Sequence, residues 1–98
     1  MRYRFIRDNK IFEYPEERLE VCDNMHEIVE FGIKEIENLL FDLKNEKFKD
    51  IDAIVDILEL MDYLSEINFI SKEEIENYRK KRESELGSYS KYLLKENV

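Results

Sequence analysis

The chain has 98 residues, 43% hydrophobic and 41% charged, with a formal net charge of −8. That length fits one domain with a modest core, and an aromatic share of 12% is too apolar for a disordered chain. The negative balance disfavours a nucleic-acid surface spread over the whole molecule and disfavours docking on anionic membranes; no run of 18 apolar residues offers a transmembrane helix.

Two Gly and one Pro point to few turns and long elements. Cys22 is alone, so it has no internal disulfide partner and no thiolate metal site can form around it. The start, Met1-Arg2-Tyr3-Arg4-Phe5, has no apolar core of signal-peptide length, and a cytoplasmic protein is the expectation. Charge is uneven along the chain: +3 over residues 1–10, −6 over 11–49, −6 over 50–71 and +1 over 72–98.

Residues 3–14 read as a β-hairpin turning on Asp8-Asn9, two residue types that tolerate positive φ. That register pairs Ile6 with Ile11, Phe5 with Phe12, Arg4 with Glu13 and Tyr3 with Tyr14. One face is then wholly aromatic and the other carries an ion pair, a self-consistent set of cross-strand neighbours. Leu19 and Val21 offer a short third strand.

The first helix is expected within residues 15–47. Leu19, Cys22, His26, Val29, Ile33, Ile36, Leu40 and Leu43 recur at intervals of 3,4,3,4,3,4,3, the spacing of an oligomerising heptad seam. Pro15-Glu16-Glu17 suits a helix start, but Asn24 with Glu27 suits one too. An unbroken helix from Pro15 to Lys47 would be about 50 Å long and would protrude from a compact domain. A break near Asp23-Asn24 is the preferred of the two open readings.

Asp50 is placed to cap a second helix, 50–68, whose apolar residues wrap more than half its circumference. The window 50–71 holds six acidic residues and no Lys or Arg. Asp52, Asp56, Glu59, Asp62 and Glu66 fall within an arc of about 120° at 100° per residue. Like charges at i,i+3 and i,i+4 repel by roughly 0.2–0.5 kcal/mol per pair. This uncompensated row, with Tyr63 beside it, is the candidate partner-binding face. A merely solvated face competes with that reading. A divalent-cation site fits less well, since a straight helix offers only side chains where Ca²⁺ wants six or more oxygens.

A third helix, 71–86, opens on a capping box, Ser71 with Glu74, and Ile70 and Ile75 stand at hydrophobic-staple positions. Gly87 stops it. Residues 88–98 form a tail with room for a short fourth helix through Tyr89, Tyr92, Leu93 and Leu94. The run Leu58, Leu60, Leu64, Phe69-Ile70-Ser71-Lys72-Glu73-Glu74-Ile75 superficially resembles the helical hairpins called SHOCT domains, which are associated with oligomerisation and protein contacts. It lacks the glycine usual in that turn, and Ile75 stands where an aromatic is common, so family membership is not inferred.

Little in the sequence suggests catalysis. Cys22 and His26 stand four apart, but as a core thiol and a boundary histidine they need no further explanation. No Gly-rich phosphate loop exists. Arg79-Lys80-Lys81-Arg82 spread around a helix, and their simplest use is pairing with the acidic helix, within one chain or between two.

The expected fold is therefore mostly α: an N-terminal β-hairpin followed by a three-helix, or four-helix, antiparallel bundle in a single domain, 1–98. The expected function is non-catalytic, without cofactor or metal: a small regulatory protein docking a basic surface of another protein through Asp52, Asp56, Glu59, Asp62, Tyr63 and Glu66. An inhibitor seated in the basic groove of a nucleic-acid enzyme is a specific form of it. The alternatives are a nucleic-acid-binding regulator using the basic N-terminal strands or residues 79–82, and a helical oligomerisation or structural subunit built on the heptad seam.

Overall fold

The computed structural model describes residues 4–96. Three helices follow an irregular N-terminal segment: α1, Met25–Asn45; α2, Ile51–Ile67; and α3, Lys72–Leu86. Each start is fixed by a side-chain cap. Asn24 accepts from the Glu27 N–H, Asp50 from that of Ala53, and Ser71 from that of Glu74, while the Glu74 carboxylate returns to the Ser71 N–H. Such caps satisfy amides that have no partner inside the helix. Capping at Asn24 leaves Leu19 and Cys22 outside α1, so the heptad spacing does not run along one continuous helix.

The β-hairpin is not formed: no strand occurs among the described residues, and Tyr3 lies outside them. Asp8–Glu13 is instead a 3-10 helix, and a second, Glu16–Arg18, follows Pro15. A turn does close across Asp8-Asn9, with the Lys10 N–H on the Arg7 carbonyl at 2.9 Å. Neither Asp8 nor Asn9 takes positive φ. A tight hairpin needs the mirror-image turn with positive φ, so here the chain winds onward rather than reversing. Arg4 then meets Glu35, and Glu13 meets Lys10, in place of the cross-strand pair expected between them.

Both interhelical turns end in the same way. After α1, the Lys47 and Phe48 amides reach back to the Lys44 and Leu43 carbonyls; after α2, those of Phe69 and Ile70 reach Glu66 and Ser65. This is the Schellman arrangement, which places one residue in the left-handed region, usually glycine. The chain puts Lys47 (φ 54°) and Phe69 (φ 63°) there, and Phe48 is left-handed as well (φ 63°).

The first of these turns folds α2 back along α1. The core is the seam between them, Ile36 and Leu43 against Ala53 and Ile57, with Leu39, Ile54, Leu60 and Leu64 packed on it. Gly32 lets the helices approach: a Cβ there would stand 2.7 Å from the Leu64 methyls. The expected helical bundle fits, but it is an open one. No Cα of α3 lies within 8 Å of α1, α3 touches α2 only marginally, and α3 buries no residue. Residues 88–96 add no fourth helix. α3 is held by local terms: its capping box, the Glu76–Arg79 pair at 2.7 Å and Lys81 over the Tyr78 ring. Arg79 draws the Glu76 carboxyl below its ordinary pKa by hydrogen bonding, so this support is present at neutral pH and is lost as acid protonates Glu76.

Openness shows in the dimensions. The radius of gyration is 17.1 Å, against about 13 Å for a compact chain of this length. The accessible surface is 9510 Å², against about 6,000 Å² for a folded monomer of 12.0 kDa.

Left-handed conformation costs a side-chain-bearing residue about 1–2 kcal/mol. Lys47→Gly should therefore stabilise the α1–α2 turn by about 1 kcal/mol, a rise in melting temperature of about 4–8 °C for a domain of this size. An unchanged or lower midpoint in thermal circular dichroism would refute the strain assigned to Lys47.

Candidate functional site

The segment before α1 lies as a strap along one flank of the α1–α2 pair, pinned by two arginines and one aromatic contact. Arg4 Nη2 donates to Glu35 Oε1 at 3.0 Å. Arg7 divides its guanidinium, Nη1 donating to Glu59 Oε2 at 2.7 Å and Nη2 to Asp56 Oδ1. Phe5 meets Tyr63 edge to face, with ring centroids 6.4 Å apart and planes at 72°. A cleft of about 440 Å³ remains beneath the strap, with Glu35, Asp56, Glu59 and Tyr63 in its wall.

The two arginine contacts differ in kind. Glu35 is the one buried charged side chain among the described residues, 7% exposed, and Arg4 is its ion-pair partner. Arg7, Asp56 and Glu59 are all substantially exposed. Exposed ion pairs are screened by water and contribute little, so Arg7 holds the strap loosely. Hydrogen bonding to Glu35 raises the Arg4 pKa, and bonding to Asp56 and then Glu59 raises that of Arg7, so both arginines stay cationic.

Of the row expected to bind a partner, Asp56 and Glu59 hold Arg7, and Asp62 lies 3.8 Å from Lys72 Nζ. Asp52 and Glu66 form no ion pair among the described residues. Fourteen residues apart, they stand about 21 Å from each other along the helix. Tyr63 is half-exposed at the strap edge. The row is thus partly answered by the chain's own cations. The four residues 79–82 do not answer it: Arg79 pairs within α3.

The seam residues divide. Ile36 and Leu43 are buried against α2, Val29 is half-buried, and Ile33 and Leu40 face outward. Leu19 and Cys22 precede the helix. His26 turns to Glu30 at 3.2 Å, whereas Cys22 lies 3.8 Å from the Asn24 carbonyl and 3.9 Å from Glu27, so Cys22 and His26 do not form a pair. No group of three or more His, Cys, Asp or Glu among the described residues could hold a metal ion.

Sequence reasoning missed Arg4, Arg7 and Glu35 as a site. The helical wheel carried the signal for Glu35. It falls between Ile28 and Leu39 on the stripe that packs inward, where an acid needs a cation. Nothing comparable marked which arginine would reach it.

In comparisons with known proteins, no family model, curated protein or solved structure matches the chain.

Removing one member of a buried pair strands the other, at about 1–3 kcal/mol for an unsatisfied buried group. Arg4→Ala should destabilise the fold by about 1–2 kcal/mol in urea unfolding, the low end because Arg4 itself is exposed. Glu35→Leu should be neutral or stabilising, as apolar replacement of buried ions often is. Equal losses in the two variants would contradict this assignment.

Proposed function

We propose that the chain is a non-catalytic interaction protein that docks a basic surface of a partner protein through the acidic row of α2. One observation carries this reading: the row grips an arginine. Asp56 and Glu59, one helical turn apart, divide a single guanidinium at an exposed position. Among the described residues, the five carboxylates in the row meet two cations of the same chain, Arg7 and Lys72. Asp52 and Glu66 extend the negative row beyond the Arg7 contact at both ends. An exposed ion pair is weak enough to be exchanged, so a partner's arginine can take the place of Arg7 or bind alongside it. The row would steer a cationic partner toward it and make association salt-sensitive. The nucleic-acid alternative has less support, because Arg4 and Arg7 are turned onto carboxylates of their own chain.

Asp52→Lys with Glu66→Lys leaves every observed ion pair untouched and reverses both open acids. Affinity capture from the native host, read by mass spectrometry, should recover a basic protein with the wild type and lose it at high salt. The double variant should fail to recover it while keeping its helical circular dichroism. Capture of the same partner by the folded variant would rule out the acidic row as the docking surface.

A further inference from the structure

The strap covers one flank of the α1–α2 pair; the opposite flank is bare and apolar. On α1, Ile36 and Leu43 face α2, and Glu35 and Ile28 lie toward the strap. Val29, Ile33 and Leu40 therefore fall on the far side, at 3.6 residues per turn. On α2, Ala53 and Ile57 face α1, and Asp56, Glu59 and Tyr63 lie toward the strap, which puts Ile54, Leu58 and Met61 on the far side as well. Because the helices run antiparallel, these two stripes adjoin. Ile33 is 47% exposed, Leu40 43%, Leu58 58% and Met61 49%. In a closed three-helix bundle the third helix covers this groove; here α3 does not approach α1.

We propose that a second copy of this chain covers this face, two α1–α2 pairs meeting across a two-fold axis as a four-helix bundle. Area supports it. The chain exposes 9510 Å² where a compact monomer of its mass exposes about 6,000 Å². Part of that excess is on this face, where Ile33, Leu40, Leu58 and Met61 supply the apolar centre that an interface of about 800 Å² per partner needs; the rest lies on the N-terminal segment, the turns and the tail. Chemistry supports a copy over the alternatives. Val29, Ile33, Leu40, Ile54, Leu58 and Met61 give the face an apolar centre, and at 100° per residue the charges that border it, Glu37 and Lys44 on α1 and Asp62 on α2, fall at its rim, where interfaces are ordinarily polar. A stripe on both helices of an antiparallel pair is self-complementary under two-fold rotation. The chain's own α3 is a poor cover, with ten charged residues in fifteen. The acidic row is largely separate from this face: Asp56 and Glu59 lie on the strap flank, Asp52 and Glu66 fall about 80° or more from Leu58 around α2, and Asp62 stands at the rim.

Sedimentation equilibrium on the intact chain at tens of micromolar should give twice the 12.0 kDa chain mass, with little change between 0.15 and 0.5 M salt. Ile33→Glu with Met61→Glu should return the single-chain mass with helical circular dichroism retained. Leu58→Lys alone should raise the dimer dissociation constant at least tenfold, a second readout should the double variant not fold. Asp52→Lys with Glu66→Lys should stay dimeric, which separates a failure here from a failure of the acidic-row reading. A wild type of single-chain mass, a dimer that persists in the folded Ile33→Glu/Met61→Glu variant, or an unchanged constant in Leu58→Lys would overturn the proposal.

Discussion

Everything in this molecule hangs on the seam where α1 and α2 touch. Gly32 brings the two backbones close enough for Leu64 to lie over it, and Ile36, Leu43, Ala53 and Ile57 fill the remaining length. The seam is narrow. Among the described residues, Leu43 is the one large side chain lost almost completely from solvent, and most other apolar residues keep a substantial part of their surface in water. A protein interior gains stability by removing apolar area from water, and the apolar surface left exposed beside this seam is what the proposed second copy would cover.

The electrostatic features follow from the same geometry. Pairing α1 with α2 sets Glu35 beside the acidic row on one flank, a concentration of negative charge that the N-terminal arginines answer. Arg4 meets a buried carboxylate, where loss of the partner is costly. Arg7 meets exposed ones, where it is cheap. The strap is therefore anchored near Arg4 and exchangeable near Arg7, and the proposed docking row is the part of the flank held most weakly. The other flank centres on Ile33, Leu40, Leu58 and Met61, with Glu37, Lys44 and Asp62 at its rim, so the two contacts proposed above, one polar and one apolar, fall on different sides of the helix pair.

The sequence made some of this legible. Caps are local, made between residues three apart, so Asn24, Asp50 and Ser71 could be located without tertiary knowledge. The apolar residues of α2 were legible as a set, but not which of them the seam would bury: Ala53 and Ile57 are buried, whereas Ile51, Leu58 and Met61 stay exposed. The N-terminal segment could not. Its alternating aromatics satisfied a strand pattern, but the choice between a mirror-image turn and a 3-10 helix at Asp8-Asn9 depended on whether Arg4 and Arg7 found better carboxylates elsewhere, on Glu35, Asp56 and Glu59. The same limit applies to α3. Ile75, Tyr78 and Leu86 fall on one side of α3 at 100° per residue, the pattern of a buried stripe, yet the turn through Phe69 carries α3 away from α1, and no short-range pattern specifies that direction. The acidic row was visible as a row; its partial neutralisation by Arg7 and Lys72 required contacts between residues far apart in sequence or across a turn.

The central claim is that tertiary stability resides in the α1–α2 seam and that α3 is sustained chiefly by interactions within itself, with only the Asp62–Lys72 pair and a marginal contact joining it to α2. Hydrogen–deuterium exchange resolved along the chain tests it directly, since amides report the free energy of opening for the element that contains them. The account predicts slowest exchange over Ile36–Leu43 and Ala53–Leu64, with Lys72–Leu86 exchanging at rates near those of an isolated helical peptide. Protection in α3 equal to that of α1 would contradict it, for it would mean that α3 closes onto the pair as the third helix of a bundle.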